Sequence, residues 1–542
     1  MIAKKQIFTS IGILVLIFVL LKFISKAETI NSIQTCNEQQ CLTNISGVEI
    51  SNTGNFFLIT DSASNPYLRK IDFSSNMIGD DRIFFINENN TGNVPFKIDI
   101  SNDSKKALMY KETRISETVS SSSSSGSLIH VLDFENNTVK SIIPYLLQEK
   151  SNVVSKVTNN EGINVASFLD EEGGEILASS NNSDAPELYI IDSTTGEITQ
   201  SIEIPDIANS IELSSDFETA VITFKSLFVQ SIGIYNVGVK KITKIDIPED
   251  IFFEVGAFLS NVSFDLKSKK SVISSFGGKH VLYLVDLDKG ELIVRFLSNT
   301  QQGKTRSAIS PDGTSVVSAS EIDGKNQIVI YKVDASDLKR MNIEKRIQIK
   351  DSNTILDVQI TPDGNNVLVL LLDNNGKKIK VLRLNDLSNL CEYVVSSDVN
   401  ESSISIDPYG QFLLIPELQG DSVSLITDLN SGPIFRSISP PRASSKESAQ
   451  FTIDGYVDST KFKDDFKVCF RSGKFCAMSI SISDDGKLIS GITPKVPFKS
   501  RTSVLLIGKD KKREESISSS GASSCKKQNN TRSRYKDTFS FE

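Results

Sequence analysis

A short turn sequence recurs along this chain and constrains its fold more than any other feature. In ISPDG (309–313), an apolar residue is followed by Ser, Pro, Asp and Gly, which is the chemistry of a type I turn. The same frame returns as ITPDG (360–364), IDPYG (406–410) and ISDDG (482–486), each before a β-rich run. Four such copies indicate a repeat.

Weaker copies keep the order of apolar residue, polar turn and apolar run but lose the Pro or the Gly. Their anchor residues are Ile50, Ile100, Phe168, Leu213 and Phe264. Successive anchors are mostly 45 to 51 residues apart, with two longer intervals of 68 and 76 residues. This period is typical of propeller blades.

Each repeat supplies four short strands. One strand precedes the anchor turn and one follows it. The next strand often ends in Asp, and the last follows a polar hairpin turn. Helical periodicity is nearly absent. The sequence therefore predicts an all-β fold, a single β-propeller of four-stranded antiparallel blades over residues 47–508. The chain has no Trp, so the core between blades must use Ile, Leu, Val and the 30 Phe.

Nine anchors are one more than the usual maximum of about eight blades. Either the units near Ile50 and Ile482 share one blade across the ring closure, or one weak unit is a decorated hairpin. We expect eight blades, with seven as the next choice.

The two long intervals indicate insertions, at about 111–127 and at 440–478. The first is Ser-rich, as expected for a flexible loop. The second contains a close Cys pair and is expected to form a disulfide-stapled flap over one face. Residues 509–542 are polar and basic and are expected to be a disordered tail.

The first 27 residues have the pattern of an export signal. Lys4 and Lys5 precede an apolar run over 11–21, and small residues allow cleavage after Ala27. The alternative is an uncleaved membrane anchor over residues 7–24, although the uninterrupted run is shorter than the roughly 20 residues that a spanning helix needs. Residues 28–46 form an N-terminal segment between this signal and the propeller.

Six cysteines fit an oxidising compartment. The disulfide candidates are two close pairs, Cys36 with Cys41 and Cys469 with Cys476, and the second pair spans a Ser-Gly turn. Zinc would need four converging ligands, which this spacing does not indicate. The pairing of Cys391 and Cys525 stays open.

Composition argues against several kinds of chemistry. The formal net charge is −8, so no nucleic acid partner is expected. The chain has only two histidines, His130 and His280, which excludes a His-rich metal site, and their different strand registers predict that they do not converge. We assign no catalytic, cofactor or metal residue, and we expect no cofactor.

The repeated aspartates have a structural interpretation. Asp312, Asp363 and Asp485 lie in turns where a carboxylate bonds the local backbone. A second group lies at hairpin entrances and has the same interpretation: Asp133, Asp192, Asp286, Asp334 and Asp428. The chain has no dense calcium loop, phosphate-binding glycine loop or nucleophile elbow. Its eight Asn-x-Ser/Thr sequons are close to the number expected by chance and carry little weight.

The anchors "ISPDGTSVVSAS" and "ITPDGNNVLVLLL", each followed by a strand that ends near Asp, resemble the YVTN-type repeats of bacterial β-propeller proteins in the WD40-like superfamily. They are most similar to lactonase-like and surface-layer propellers, over most of residues 45–508. The chain departs from the YVTN tetrapeptide itself, reading "VVSAS" and "VLVLL" after the turn. The resemblance implies a fold rather than an activity, because such propellers include binding proteins, cofactor-handling enzymes and lactone hydrolases.

Two functions are compatible with these observations. The first, which we prefer, is an exported, monomeric, noncatalytic propeller in the periplasm or outside the cell that binds a protein or a cell-envelope component. The alternative is a lactonase-like hydrolase with its active site at the mouth of the central channel. It follows from the resemblance alone, so whether the protein is an enzyme stays open.

Overall fold

A computed structural model gives the fold. It describes residues 30–34, 45–61, 67–74, 77–85, 96–111, 129–142, 145–147, 154–156, 163–180, 182, 184–214, 216–224, 231–247, 258–265, 269–276, 279–301, 305–322, 325–333, 341–349, 354–374, 376–396, 403–410, 412–416, 422–427, 434–440, 442–457, 466–470, 475–483, 487–496, 500–509 and 530–541. Within these ranges all regular secondary structure is strand, and no helix is long and apolar enough to cross a bilayer.

The described residues contain 43 strands. In chain order they are β1 (Ile30–Gln34), β2 (Ile45–Ile50), β3 (Phe56–Asp61), β4 (Tyr67–Ser74), β5 (Met77–Phe85), β6 (Phe96–Ile100), β7 (Lys106–Lys111), β8 (Ile129–Asp133), β9 (Thr138–Ile142), β10 (Tyr145–Leu147), β11 (Val154–Lys156), β12 (Ile163–Phe168), β13 (Glu175–Ser180), β14 (Glu187–Asp192), β15 (Ile198–Glu203), β16 (Ala208–Leu213), β17 (Thr219–Phe224), β18 (Ser231–Asn236), β19 (Lys241–Asp246), β20 (Phe258–Phe264), β21 (Lys270–Phe276), β22 (Lys279–Asp286), β23 (Glu291–Gln301), β24 (Arg306–Ile309), β25 (Ser315–Ile322), β26 (Lys325–Val333), β27 (Met341–Gln348), β28 (Thr354–Ile360), β29 (Asn366–Asp373), β30 (Gly376–Arg383), β31 (Asn389–Ser396), β32 (Ser405–Ile406), β33 (Phe412–Pro416), β34 (Ser422–Thr427), β35 (Ile434–Ser439), β36 (Arg442–Ala443), β37 (Gln450–Tyr456), β38 (Lys467–Phe470), β39 (Phe475–Cys476), β40 (Ile480–Ile482), β41 (Leu488–Ile492), β42 (Ser500–Lys509) and β43 (Asn530–Phe541).

In the part of the chain that the structure describes, seven four-stranded antiparallel sheets are simple meanders, each built from one repeat. Sheets 1 to 7 have the orders β2-β3-β4-β5, β6-β7-β8-β9, β12-β13-β14-β15, β16-β17-β18-β19, β20-β21-β22-β23, β24-β25-β26-β27 and β28-β29-β30-β31. Strands β10 and β11 form a separate hairpin between sheets 2 and 3. The four-stranded repeat predicted from the sequence is confirmed.

The anchor turns are built as their sequence predicts. The hydroxyl of the Ser or Thr that opens the turn accepts the backbone N–H at the start of the next strand, as from Ser315 to Ser310 (2.9 Å) and from Asn366 to Thr361 (3.0 Å). Gly313 has φ +65° and donates its N–H to Ser310 O at 2.8 Å. This left-handed conformation is inexpensive only for glycine.

Hydrophobic clusters join each sheet to the next. Phe56 and Leu58 of sheet 1, for example, pack with Met109 and Leu132 of sheet 2. Clusters of the same kind link sheets 2 to 3 to 4, 4 to 5, 5 to 6 and 6 to 7. Each sheet therefore buries both faces against its neighbours, which is the packing of propeller blades.

The N-terminal strand completes the eighth sheet. Its order is β32-β33-β34-β1, with Ile30 opposite Ile426 and Gln34 opposite Ser422. Sheet 8 packs on sheet 7, and it also packs on sheet 1 through Phe412 and Leu414 against Phe57. The expected boundary at residue 47 differs from this arrangement, because β1 lies in the segment 28–46 and belongs to a sheet of the ring.

The ninth anchor, at Ile482, lies outside these eight sheets. Ile50 is in sheet 1, whereas Ile482 is in a further sheet of order β35-β37-β41-β40, so the two units share no sheet. This sheet packs against a five-stranded sheet, β36-β43-β42-β38-β39. We call strands β35–β43 the C-terminal sheet pair; it has its own core, which includes Phe451, Phe470 and Leu506.

The expected flap at 440–478 is part of this sheet pair rather than an insertion in a blade. Its strands β37 and β38 lie in the two facing sheets, and the predicted disulfide between Cys469 and Cys476 joins β38 to β39. Cys391 is also in a disulfide, while Cys36, Cys41 and Cys525 lie outside the described residues.

The expected disordered tail differs in part from the structure. Residues 530–541 form β43, which pairs along β42 from Lys509↔Asn530 to Ser500↔Phe541. Backbone pairing to a neighbouring strand orders this segment despite its polar composition. The segments 1–27, 112–128 and 510–529, with the predicted signal, Ser-rich loop and remainder of the tail, lie outside the described residues.

Candidate functional site

The first strands of the sheets lie next to one another around a common axis. Contacts join β2 to β6, β12 to β16, β20 to β24 to β28, and β32 back to β2. In a propeller these innermost strands line the central channel, where ligand sites commonly form. Their polar side chains are therefore the candidate functional site.

An acidic residue occupies the same position in three inner strands. Glu49, Asp99 and Glu212 each precede the last apolar residue of the strand, in "VEIS", "IDIS" and "IELS". The equivalent position in β12 is Ser167. The three carboxyl groups interact electrostatically with one another and with Lys97, so the ring brings together side chains up to 163 positions apart in the sequence.

Asp99 links two neighbouring sheets. Its Oδ2 accepts the Ser167 hydroxyl at 2.8 Å and the Phe168 N–H at 2.7 Å. Burial raises the pKa of the Asp99 carboxyl, and the bonds from Phe168 and Ser167 oppose that increase. The first role of this carboxylate is thus to join β6 to β12.

Glu49 and Glu212 hold protons more strongly than ordinary glutamates. Enclosure by the surrounding protein, followed by the negative charge of Asp99, raises the pKa of Glu49 to about 8 and that of Glu212 to about 7. The cation of Lys97 opposes both shifts. Glu49 is half-buried, whereas Glu212 is exposed to solvent. Water can stabilise the charged form of Glu212, so its pKa is raised less than that of Glu49.

A second polar group lies on β24 and β28. Arg306 Nε donates to Leu356 O at 2.9 Å, and Asp357 Oδ2 accepts the Ile404 N–H at 2.8 Å. Burial raises the pKa of Asp357, while the Ile404 N–H and the Arg306 charge lower it. These side chains connect sheets 6, 7 and 8 in succession.

Asparagines at strand bulges make similar connections. The register of β12 shifts around Asn164 and that of β16 around Asn209. Asn164 Nδ2 donates to Ala208 O at 2.5 Å, and Asn209 Nδ2 donates to Leu259 O at 2.9 Å. A bulge thus aims each amide at the inner strand of the next sheet.

The two histidines lie in different sheets. His130 is fully buried in β8 of sheet 2, where Nδ1 lies 3.0 Å from the Ser141 hydroxyl. His280 lies in β22 of sheet 5, opposite Ser298, and its side chain is not described. The fold brings neither histidine onto an inner strand.

The turn and hairpin aspartates bond locally. Asp312 and Asp363 each accept the N–H two residues later, from Thr314 and Asn365, at 3.1 Å. Among the hairpin aspartates, Asp133, Asp192 and Asp286 accept backbone N–H groups of their own turns, at 2.9, 2.6 and 3.0 Å. Asp485, Asp334 and Asp428 lie outside the described residues.

The channel residues were not found by motif reasoning, because no motif covers them. A signal was present in the repeat alignment, where an acid stands between two apolar residues just before the anchor turn in three units. The ring arrangement is what brings these acids close enough to interact electrostatically. Among the residues with described positions, no group of three His, Cys, Asp or Glu side chains is arranged to hold a metal ion.

Comparison with known proteins gives similarities of fold. No family model and no curated protein matches the chain. Among solved structures, the C-terminal WD40 domain of Sif2 is 14% identical with a TM-score of 0.48, covering 72% of this chain and 97% of that one. The β-propeller domain of Myceliophteria thermophila Cps50 (Swd1) is 10% identical with a TM-score of 0.41, covering 73% and 99%.

A third match, the dihydro-heme d1 dehydrogenase NirN, is 10% identical with a TM-score of 0.43 and covers 64% of this chain and 66% of that chain. At this level of similarity the assignment rests on the sheet order and on the clusters between sheets described above. On those grounds the chain is an all-β protein of the β-propeller class.

Proposed function

We propose that this protein is an exported, noncatalytic β-propeller that binds another protein or a cell-envelope component. One observation carries the proposal: three polar side chains of the channel already bond the backbone of a neighbouring sheet. Asp99 and Arg306 bond the backbone of the next inner strand, and Asp357 bonds Ile404 just before β32. A catalytic acid or base would need its proton-transfer atom directed at a substrate.

The ring itself consists of eight blades and acts as a monomer. The packing of sheet 8 on sheet 1 supports this count, as does the completion of sheet 8 by β1. A propeller closed in this way leaves only short, protected strand edges, and its blades bury their faces against one another, so it needs no second copy to bury its core.

Export is supported by the N-terminal sequence and by the cysteines. The run over residues 11–21 with small residues before position 28 is that of a cleaved signal. The Cys469–Cys476 disulfide is of a kind that persists in the periplasm or outside the cell. If residues 7–24 remain attached, the propeller is held at the membrane surface instead.

The test is to express the tagged protein in its own cell, crosslink it and identify what copurifies. A recurrent stoichiometric partner, with crosslinked lysines that define one face of the ring, is the expected result. If no partner recurs and the pure protein hydrolyses sugar or acyl lactones, the noncatalytic role is wrong. Glu212→Gln is the diagnostic variant for that activity, and Glu218→Gln, on an exposed turn, is its control.

A further inference from the structure

The anchor turns of sheets 1 and 8 meet where the ring closes. Gly54 lies in the turn between β2 and β3, against the side chains of Asp407 and Tyr409 in the turn between β32 and β33. We call this contact the closure seam. It joins sheets 1 and 8 through two turns whose residues Gly54 and Asp407 are 353 positions apart in the sequence.

A lysine of the C-terminal sheet pair touches both sides of the closure seam. Lys487, just before β41, donates from Nζ to Thr53 O at 2.7 Å and to Asn55 Oδ1 at 2.5 Å. The same ammonium lies 5.0 Å from the centroid of the Tyr409 ring, within the range of a cation–π interaction. The Tyr409 hydroxyl in turn reaches Asp454 Oδ1 of β37 at 3.5 Å.

Two other lysines join neighbouring turns inside the ring. Lys106, the first residue of β7, donates to Gly173 O of sheet 3 at 3.3 Å. Lys270, the first residue of β21, donates to Gly313 O of sheet 6 at 3.1 Å. In sheet 8 the corresponding first residue of the second strand is Phe412, so the lysine at the closure seam comes from outside the ring.

The C-terminal sheet pair is separate from the ring in its ladders and in its core. Among the described residues, its sheets contain strands β35–β43 and its central cluster draws on residues 438–506. The contacts that Lys487 and Asp454 make with the ring are polar. A unit that has its own core and meets its neighbour through single side chains such as Lys487 can move relative to that neighbour.

We propose that the C-terminal sheet pair is a detachable clasp on the closure seam. When docked, Lys487 holds the turns of sheets 1 and 8 together. When it is released, the ring stays closed through β1 and through the core between those sheets. The clasp thereby makes the stability of the seam depend on a contact that a partner can replace.

Hydrogen exchange on the full mature chain tests this. The reporter amides are Gly54 N–H, bonded to Ser51 O at 2.8 Å, and Gly410 N–H, bonded to Asp407 O at 2.7 Å. Lys487→Met removes the ammonium and keeps most of the side-chain length. We expect both amides to exchange about tenfold faster in this variant, the effect of losing a hydrogen bond to a charged group.

Lys270→Met is the matched control, because it removes the same kind of bond away from the closure seam. It should speed exchange at Gly313 and leave Gly54 unchanged. Unchanged exchange at Gly54 and Gly410 in Lys487→Met would overturn the clasp. Faster exchange across β37 and β41 in that variant would also overturn it, since the sheet pair would then be unfolding rather than detaching.

Discussion

Gly54 packs directly against the carboxylate of Asp407, and this contact joins the first sheet of the ring to the last. Gly54 has φ +62°, and a Cβ at this position would overlap Asp407 Oδ1. The position therefore requires glycine for two reasons, the backbone conformation and the space.

Gly54→Ala should therefore lower the free energy of unfolding by more than backbone strain alone. Gly290 has nearly the same φ, +64°, but no atom lies within 4 Å of the place that a Cβ would occupy. Gly290→Ala therefore measures the backbone strain alone, and we expect it to lower the free energy of unfolding by about 1–2 kcal/mol. We expect Gly54→Ala to lose about 1–3 kcal/mol beyond that value. Chemical denaturation of both variants measures the difference, and equal losses would show that the seam contact is unimportant.

The channel glutamates should make stability fall as pH rises. Their pKa values, about 8 for Glu49 and about 7 for Glu212, exceed the 4.5 of the unfolded chain. Between pH 4.5 and 8 the folded state therefore binds more protons than the unfolded state, and the free energy of unfolding decreases with pH.

Glu49→Gln mimics the protonated acid and should remove part of this decrease. Because water reaches the channel, we expect a gain of about 1–2 kcal/mol at about pH 8 and almost none near pH 4.5. Glu218→Gln, on an exposed turn, should leave the pH dependence unchanged. Chemical denaturation at several pH values measures the free energy of unfolding of each variant. If this free energy changes with pH in the same way in wild type and in Glu49→Gln, the raised pKa of Glu49 is contradicted.

Asp99 should matter as an acceptor more than as a charge. Asp99→Asn keeps an oxygen for the Ser167 and Phe168 donors, so we expect a loss below about 1 kcal/mol in the free energy of unfolding. Asp99→Ala leaves both donors without this partner and should lose about 1–3 kcal/mol. If thermal or chemical denaturation ranks the two variants in the opposite order, the negative charge is what matters.

The Cys469–Cys476 disulfide should stabilise the C-terminal sheet pair and not the ring. It closes a loop of seven-residue separation, for which chain entropy gives about 2–3 kcal/mol. In the double variant Cys469→Ser, Cys476→Ser, exchange should rise in β38 and β42 while β17 and β29 keep their protection. Equal loss of protection in the ring would show that the two parts unfold together.

The sequence predicted the repeat well because its determinants are local. A Ser or Thr that bonds a backbone N–H five residues later, as Ser310 and Thr361 do, works within one turn and needs no distant partner. The same holds for Asp312 and Asp363, whose bonding was predicted. The Cys469–Cys476 bridge was predicted for a similar reason, since the two residues face each other in one short hairpin.

The candidate site was harder to predict, because its properties arise between repeats. The pKa of Glu49 depends on Asp99 and Glu212, whose proximity follows from the ring and not from spacing in the chain. The repeat frame also could not distinguish Ile406 from Ile482, although the first belongs to a sheet of the ring and the second does not.

By itself, then, the sequence determined the turn chemistry, the strand pattern and the all-β class, because these depend on neighbours within a few residues. The tertiary structure alone decided how the ring closes. Strand β1 pairs with β34 almost 400 positions away, and Lys487 reaches Asn55 across 432 positions. Such contacts depend on how distant sheets pack against one another, and the preferences of neighbouring residues do not determine that packing.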